Sequence, residues 1–137
     1  MVEVNGATVT LHESMGDKED KTGALTASSQ PPSFIYDHAF NESVAQAGVF
    51  QTLGHDLVRD TMLGFNCSVF AYGQTSSGKS FTMMGDGDGL APRICKCLLN
   101  CLKQQQVGFG PGGGSFSVEA SYFEIYNEKV SCVLLHG

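Results

Sequence analysis

The sequence at positions 69–80 is Val69-Phe70-Ala71-Tyr72-Gly73-Gln74-Thr75-Ser76-Ser77-Gly78-Lys79-Ser80. Four of these residues fit the pattern G-x-x-x-x-G-K-[ST], which is typical of loops that bind the phosphates of a nucleotide. They are Gly73, Gly78, Lys79 and Ser80. The two glycines let the backbone curl tightly, so that its N–H groups can point inward at phosphate oxygens. In this pattern we expect Lys79 to reach the β- and γ-phosphates and the Ser80 hydroxyl to bind Mg²⁺.

The segments on either side of the loop favour the same interpretation. The apolar run Cys67–Tyr72 predicts a buried strand that enters the loop, and residues 79–83 predict the first turns of a helix that leaves it. A helix that begins near Gly78 directs the positive end of its dipole at the same anion. The alternative is a turn rich in glycine and serine that fits the pattern by chance. The coincidence of strand, loop and helix signals favours nucleotide binding.

The bulk composition limits the class of protein. The chain has 137 residues, enough for one domain, and 42% of them are hydrophobic. Its net charge of −6 argues against a nucleic-acid-binding protein, which would show a basic face, and gives no sign of a surface for an anionic membrane. No apolar run approaches membrane-spanning length. Glu3, Asn5 and Gly6 stand where a signal peptide would need an apolar core, so we expect none.

The five cysteines are interpreted as reduced thiols, since their number is odd and no secretory signal is found. They are Cys67, Cys95, Cys97, Cys101 and Cys132. A metal site formed by Cys95, Cys97 and Cys101 is the alternative. However, the first two point to different faces of a predicted helix, and no C-x-x-C pair or nearby histidine completes a ligand set. A role as small apolar core residues is therefore favoured.

The chain predicts an alternation of strands and helices. Asn5-Gly6 between two β-branched runs predicts a β-hairpin over 2–11, and a polar surface excursion follows over 12–32. The strongest helix prediction covers Ser43–Met62, with Ser43 and Gln46 as a capping box at its start and with Gly64 and Asn66 as its end. The other predicted elements are a strand at Ser33–Phe40, a turn at Met84–Gly89, a helix at Leu90–Gln106, a glycine-rich loop at Gly108–Ser115, a strand at Phe116–Ile125 and a second apolar run at Val130–Leu135.

The order strand, helix, strand, loop, helix predicts a parallel α/β sheet with crossover helices. The helix predicted at Leu90–Gln106 has a clear apolar stripe at helical spacing. The stripe consists of Ile94, Cys97, Leu98, Cys101 and Leu102.

Four further motifs occur in a fixed order from Phe34 onward. They are Phe34-x-Tyr36-Asp37-His38-x-Phe40, then Ala71-Tyr72-Gly73-Gln74-Thr75 leading into the phosphate loop, then Gly89-Leu90-Ala91-Pro92-Arg93, and finally Ser121-Tyr122-Phe123-Glu124-Ile125-Tyr126-Asn127-Glu128. Together they resemble the N-terminal part of a kinesin motor domain. The Ala-Tyr-Gly-Gln-Thr lead-in is far more discriminating than the bare phosphate-loop pattern.

This resemblance implies an α/β fold of the P-loop NTPase type, in which helices flank a mixed, largely parallel sheet. It implies ATP and Mg²⁺ as ligands, with Lys79 stabilising phosphate charge, Ser80 binding Mg²⁺ and Phe81 near the adenine. The implied nucleotide-binding residues are Gly73, Gln74, Thr75, Ser76, Ser77, Gly78, Lys79, Ser80 and Phe81. The implied activity is a microtubule-stimulated ATPase that drives movement along microtubules, in the cytoplasm and on the cytoskeleton. Its partner would be tubulin, with neither nucleic acid nor membrane.

Departures from the family pattern imply an incomplete motor domain over 1–137. No Arg-x-Arg-Pro strand, which in the family lines the adenine pocket, occurs before Val2. The family's Asn-x-x-Ser-Ser-Arg and Asp-x-x-Gly switches follow the Tyr-Asn-Glu strand, and neither occurs between Val130 and Gly137. We therefore expect an N-terminal hairpin and polar loop over 1–33 and a P-loop core over 34–137. Such a chain should bind nucleotide weakly and hydrolyse it slowly or not at all.

Two alternatives stay open from the sequence. The first is a truncated, non-motor kinesin-like chain that binds nucleotide weakly without hydrolysis. The second is another P-loop NTPase, such as a nucleotide kinase or a GTPase. The segments Ala-Tyr-Gly-Gln-Thr and Tyr-Phe-Glu-Ile-Tyr-Asn-Glu disfavour the second alternative, and a preference for GTP over ATP would favour it.

Overall fold

The computed structural model of the protein describes residues 1–12, 31–108 and 116–132. The chain divides into two compact units, Met1–Cys95 and Lys96–Gly137, and each is described by itself. Three sequence predictions fall wholly or largely on other residues. The polar excursion at 13–30, the glycine-rich loop at 109–115 and the end of the last apolar run at 133–135 lie outside the described residues.

The first unit begins with the predicted hairpin. Strands β1 (Val2–Asn5) and β2 (Thr8–Leu11) pair antiparallel, with Asn5 opposite Thr8. The two-residue loop between them is therefore Gly6-Ala7, one position later than an Asn-Gly turn. Gly6 has φ +60° and Ala7 does not have a positive φ, as in a type II′ turn. The hairpin prediction is confirmed, and Asn5 belongs to the strand.

A third strand extends this sheet in an antiparallel sense. Strand β3 (Ser33–Ile35) pairs with β2, with Thr8 opposite Ile35, so the order is β1-β2-β3. The strand predicted at Ser33–Phe40 is correct at its start but too long. The largely parallel sheet is not found among the described residues, where both sheets are antiparallel.

The segment Cys67–Tyr72, predicted as a buried strand, is another correction. Residues 65–73 have no regular secondary structure, and Phe70 and Tyr72 are 86% and 96% exposed. A strand exists only through hydrogen bonds to a neighbour, because its own residues cannot satisfy one another's N–H and C=O groups. Among the described residues no strand pairs with this segment. The apolar residues at 67–72 thus have strand propensity, but their sequence does not specify a neighbouring strand with which they could pair.

The predicted helix at Ser43–Met62 is confirmed, with a later start. It comprises α1 (Gln46–Val49), a π-helical turn (Phe50–Gly54) and α2 (His55–Met62). The N-cap is Ala45, which makes no side-chain capping bond, so the predicted capping box is wrong. The Ser43 hydroxyl instead donates to Asn41 Oδ1 at 2.6 Å, because an Asn side chain two residues away competes for it.

The end of this helix is a Schellman motif. The Phe65 N–H donates to the Asp60 carbonyl at 3.0 Å, and the Gly64 N–H donates to the Thr61 carbonyl at 3.0 Å. Gly64 has φ +94°, the left-handed conformation that this motif requires. The predicted helix stop at Gly64 is therefore confirmed in its atomic detail.

The elements that follow are two helices separated by a turn, as predicted. They are α3 (Lys79–Met83) and α4 (Leu90–Gly108). Leu90 is 3% exposed and Val58 is 4% exposed, and these are the buried hydrophobic side chains of the described part of the chain. All five residues of the predicted apolar stripe on α4 are half-buried, whereas Leu99 and Asn100 between them are exposed. No helix in the described ranges is both long and apolar enough to cross a membrane.

The second unit contains a second hairpin. Strands β4 (Phe123–Tyr126) and β5 (Lys129–Cys132) pair antiparallel, with Tyr126 opposite Lys129. The strand predicted at Phe116–Ile125 therefore begins late, since residues 116–122 have no regular structure. The two turn residues, Asn127 and Glu128, have φ +50° and +62°. Positive φ at both positions defines a type I′ turn, in which the second position favours glycine.

We expect Glu128→Gly to stabilise this hairpin by about 0.5–1 kcal/mol. The left-handed conformation costs a residue with a Cβ about 1–2 kcal/mol, and the extra freedom of glycine in the unfolded chain cancels part of this gain. Urea unfolding followed by circular dichroism measures the change. Glu128→Ala is the matched control, because it removes the carboxylate but retains the Cβ. Equal midpoints for the two variants would show that backbone strain at Glu128 does not matter.

Candidate functional site

The loop between residue 73 and α3 has an unusual backbone. Ser76 has φ +64° and Gly78 has φ +90° with ψ +9°. A residue with a Cβ, such as Ser76, pays about 1–2 kcal/mol for this conformation, and such strain concentrates at functional sites. Gly78 is the N-cap of α3, so the left-handed turn is what converts the loop into the helix. No atom lies within 4 Å of a Cβ placed on Gly78, and its requirement for glycine is conformational rather than steric.

The other glycine of the pattern allows a close approach across the loop. A Cβ on Gly73 would lie 2.6 Å from Ser77 Oγ. The Ser77 N–H donates to the Gln74 carbonyl at 3.2 Å and closes a turn within the loop. Gly73 also has a positive φ of +155°, so both glycines of the predicted pattern have backbone conformations that residues with a Cβ rarely adopt.

Lys79 lies back over the loop instead of extending into solvent. Its Nζ donates to the carbonyl of Gly73 at 2.9 Å and to that of Gln74 at 2.6 Å. The side chain is half-buried. The ammonium group is therefore held at the mouth of the loop, where a bound anion could take the place of the two carbonyl oxygens. The motif places a lysine at position 79, but it does not indicate that the side chain folds back onto the loop carbonyls.

The start of α3 offers donors that a phosphate could use. Within the described residues, the N–H groups of Gly78, Lys79 and Ser80 donate to no backbone carbonyl. Ser80 is exposed, so its hydroxyl is accessible to a ligand. A cation, three free amides and a hydroxyl fit a Mg²⁺–nucleotide, because the amides and the ammonium match phosphate oxygens and the hydroxyl is an oxygen ligand of the kind Mg²⁺ accepts.

Phe81 is largely exposed, but its backbone carbonyl accepts two hydrogen bonds. Phe81 as a whole is 65% exposed and lies in α3, three residues after Gly78. Its carbonyl accepts the side-chain amide of Gln46 at 2.6 Å and also the Gly85 N–H at 2.8 Å. The sequence assigned Gln46 to a capping box, and its link to Phe81 over 35 residues has no local signal in the sequence.

An apolar groove in the first unit was not predicted. Its volume is about 640 Å³, and it runs between the helix that starts at Gln46 and the segments before and after the loop. Its apolar side chains come from three stretches of the chain. They include Val44, Val49 and Leu53, then Val69 and Phe70, then Phe81 and Met83.

The cysteine cluster on α4 shows no sign of a metal centre. The described residues contain no group of three potential ligands, and all five cysteines are free thiols. Cys97 and Cys101 are half-buried, while Cys67, Cys95 and Cys132 are exposed. Partial burial raises the pKa of the Cys97 thiol, and the neighbouring Cys101 raises it further. A raised pKa disfavours the reactive thiolate of Cys97. By their burial, the predicted core role holds in part for Cys97 and Cys101 and is wrong for the three exposed cysteines.

Comparison with known proteins decides the family. The family model described as the kinesin motor domain matches residues 3–136. The chain belongs to the kinesin motor domain family. The human kinesin-like protein KIF13B is 46% identical over 118 residues, which cover 79% of this chain and 6% of that protein. The mouse kinesin-like protein KIF16B is 46% identical over 110 residues, with 74% and 8% covered. Human KIF13A is 37% identical over 145 residues, with 98% and 8% covered.

Solved structures agree with this family. Two crystal structures of mutants of the kinesin motor ATPase match this kinesin chain with TM-scores of 0.54 and 0.55. Each is 35% identical and covers 58% of this chain and 26% of the solved chain. The kinesin chain therefore has a P-loop NTPase-type fold of the kinesin kind. It spans 6% to 8% of the length of KIF13B and KIF16B.

Proposed function

We propose that this kinesin chain is the ATP-binding part of a microtubule motor. The observation that carries the proposal is the position of Lys79, whose ammonium group lies 2.9 Å and 2.6 Å from two loop carbonyls beside the free amides of residues 78–80. A cation folded over the loop, together with amides that donate to no backbone carbonyl, is suited to the triphosphate of a nucleotide. The family supplies the nucleotide, ATP, and the wider activity, hydrolysis coupled to movement along microtubules.

Each residue of the loop has a role in this proposal. The amides of residues 73–80 surround the phosphates, and the Lys79 ammonium stabilises their negative charge. The Ser80 hydroxyl binds Mg²⁺, which neutralises the phosphate oxygens when it is bound. The exposed ring of Phe81 lies against the adenine, where an aromatic face can stack on a base. Nucleotide binding thus depends on nine consecutive residues, Gly73–Phe81, which form the loop and the start of α3.

We also propose microtubules as the partner and the cytoskeleton as the site of action, because the chain belongs to the kinesin motor domain family. Phosphoryl transfer requires residues that position the attacking water and sense the γ-phosphate. In the family these belong to the two switch motifs, which do not occur between Val130 and Gly137. We therefore propose that these 137 residues bind Mg-ATP and that hydrolysis needs the rest of a complete motor head.

Titration of Mg-ATP into the 137-residue chain, with and without microtubules, tests this function. We expect saturable, Mg²⁺-dependent ATP binding by calorimetry and no microtubule-stimulated phosphate release. Absence of Mg²⁺-dependent binding would contradict the nucleotide site. Stimulated release from this chain would show that the switch motifs are not needed. A clear preference for GTP would instead favour another class of P-loop NTPase.

A further inference from the structure

A single side-chain amide connects the helix that starts at Gln46 to the helix that follows the phosphate loop. Gln46 lies in the first turn of α1 and is half-buried. Its Nε2 donates to the backbone carbonyl of Phe81, in the middle of α3, at 2.6 Å. In the described part of the chain, this is the hydrogen bond that joins the two helices. Both helices line a groove whose walls include apolar side chains such as Val49 and Met83 and polar ones such as Asn41.

Helix α3 needs such a contact because it is too short to be stable alone. It has five residues, and isolated helices shorter than about 12–15 residues are marginal in water. Its own bonds at the C-terminal end are those of a single turn, with Met84 donating to Ser80 at 2.8 Å and Gly85 donating to Phe81 at 2.8 Å. The position of α3 must therefore be fixed from outside. Gln46 supplies such a contact through the Phe81 carbonyl, 35 residues away in sequence.

We infer that Gln46 is a positioning residue for the phosphate loop, acting through the Phe81 carbonyl on the helix that begins with Lys79 and Ser80. The inference rests on the proposed function, since it names a residue that holds the proposed nucleotide site in place without touching the nucleotide. Phe81 is only two positions after Lys79, so a rotation of α3 at Phe81 would displace the ammonium and the Ser80 hydroxyl directly. A net hydrogen bond of this kind changes an equilibrium by about threefold to tenfold.

The substitutions separate loss of the donor from loss of the side chain. Gln46→Met keeps an unbranched side chain of similar length beside the apolar groove but removes the N–H donor. Gln46→Lys restores a donor that can reach the same carbonyl. Gln51→Met is the matched control, because Gln51 lies one turn further along the same helix and is exposed.

Hydrogen exchange followed by NMR tests the anchoring without nucleotide. We expect the amides of Met84 and Gly85, which close the end of α3, to exchange about threefold to tenfold faster in Gln46→Met. Exchange should be unchanged in Gln51→Met and restored in Gln46→Lys. Rates in Gln46→Met equal to those of the unsubstituted chain would overturn the inference. A variant that unfolds altogether is recognised by circular dichroism, and the restored rates in Gln46→Lys then decide.

Calorimetric titration of Mg-ATP tests the positioning. Affinity should fall about threefold to tenfold in Gln46→Met and recover in Gln46→Lys. Faster exchange with unchanged affinity would overturn the positioning role, because α3 would then move without consequence for the ligand. If the unsubstituted chain binds no Mg-ATP, the proposed function is overturned and the phosphate-positioning role with it. The exchange rates distinguish this outcome from a failure of the Gln46 contact itself.

Discussion

Lys79→Ala is expected to weaken Mg-ATP binding by about 100-fold, which corresponds to about 3 kcal/mol. Hydrogen bonds to charged groups contribute about 1.5–3 kcal/mol each. The substitution removes the ammonium and with it at least one such bond to a phosphate oxygen. The side chain is already folded over the loop, with its Nζ on the Gly73 and Gln74 carbonyls. Little side-chain entropy is therefore lost when the ligand arrives. The phosphate oxygens replace the two carbonyl acceptors, so the gain in affinity comes from the stronger hydrogen bond between two charged groups. Calorimetric or fluorescence titration of Mg-ATP measures the change.

Lys103→Ala is the matched control, because it removes the same charge from an exposed position on α4. Its affinity should equal that of the unsubstituted chain. A similar loss in both variants would mean that net charge, rather than a located cation, governs binding. Unchanged affinity in Lys79→Ala would contradict the assignment of residues 73–80 as a phosphate loop. Far-ultraviolet circular dichroism shows whether the loss of the two carbonyl contacts also disturbs the fold.

Features decided by short stretches of sequence were predicted well. The apolar stripe on α4 recurs every three or four residues, and that spacing alone places Ile94, Leu98 and Leu102 on one face of a helix. The helix stop at Gly64 and the turn between α3 and α4 follow from glycines that permit left-handed or crowded backbone. Each of these signals lies within a few residues of the structure that it specifies.

Features that need a distant partner were predicted poorly. The apolar run Cys67–Tyr72 has strand propensity, but strand formation depends on a neighbour that local sequence does not identify. The pairing of Ser33–Ile35 with the first hairpin is antiparallel, and the order of elements had suggested a parallel neighbour. The predicted capping box is wrong for a related reason. The Gln46 side-chain amide donates to the Phe81 carbonyl, 35 residues away, instead of to the start of its own helix.

In the candidate site too, local features were predicted and tertiary contacts were not. The motif identified the residues of the loop, because Gly73, Gly78, Lys79 and Ser80 stand at a fixed spacing. It did not indicate that Lys79 folds onto the loop carbonyls or that Gln46 donates to the Phe81 carbonyl in α3. Those contacts depend on side-chain direction and tertiary packing, which no short pattern encodes.

Gly89→Ala is expected to destabilise the protein by about 3 kcal/mol, the largest stability effect we predict. Gly89 is buried where the turn after α3 enters α4. A Cβ at this position would lie 2.6 Å from the Met83 carbonyl oxygen and 2.7 Å from the Gly85 nitrogen, and it would also meet the Met84 carbonyl carbon. These atoms belong to the backbone, so a side-chain rotation cannot relieve the clash. The end of α3 must move or the start of α4 must unwind.

Gly64→Ala is the control that separates crowding from backbone conformation. Gly64 has φ +94° but open space around its Cβ position, so alanine should cost only the left-handed penalty of about 1–2 kcal/mol. Gly89 has the opposite character, because it is crowded without a positive φ. Urea unfolding midpoints should therefore fall further for Gly89→Ala than for Gly64→Ala. Equal shifts would show that the backbone between α3 and α4 accommodates a methyl group at position 89 without strain, and the crowding around Gly89 would then not limit stability.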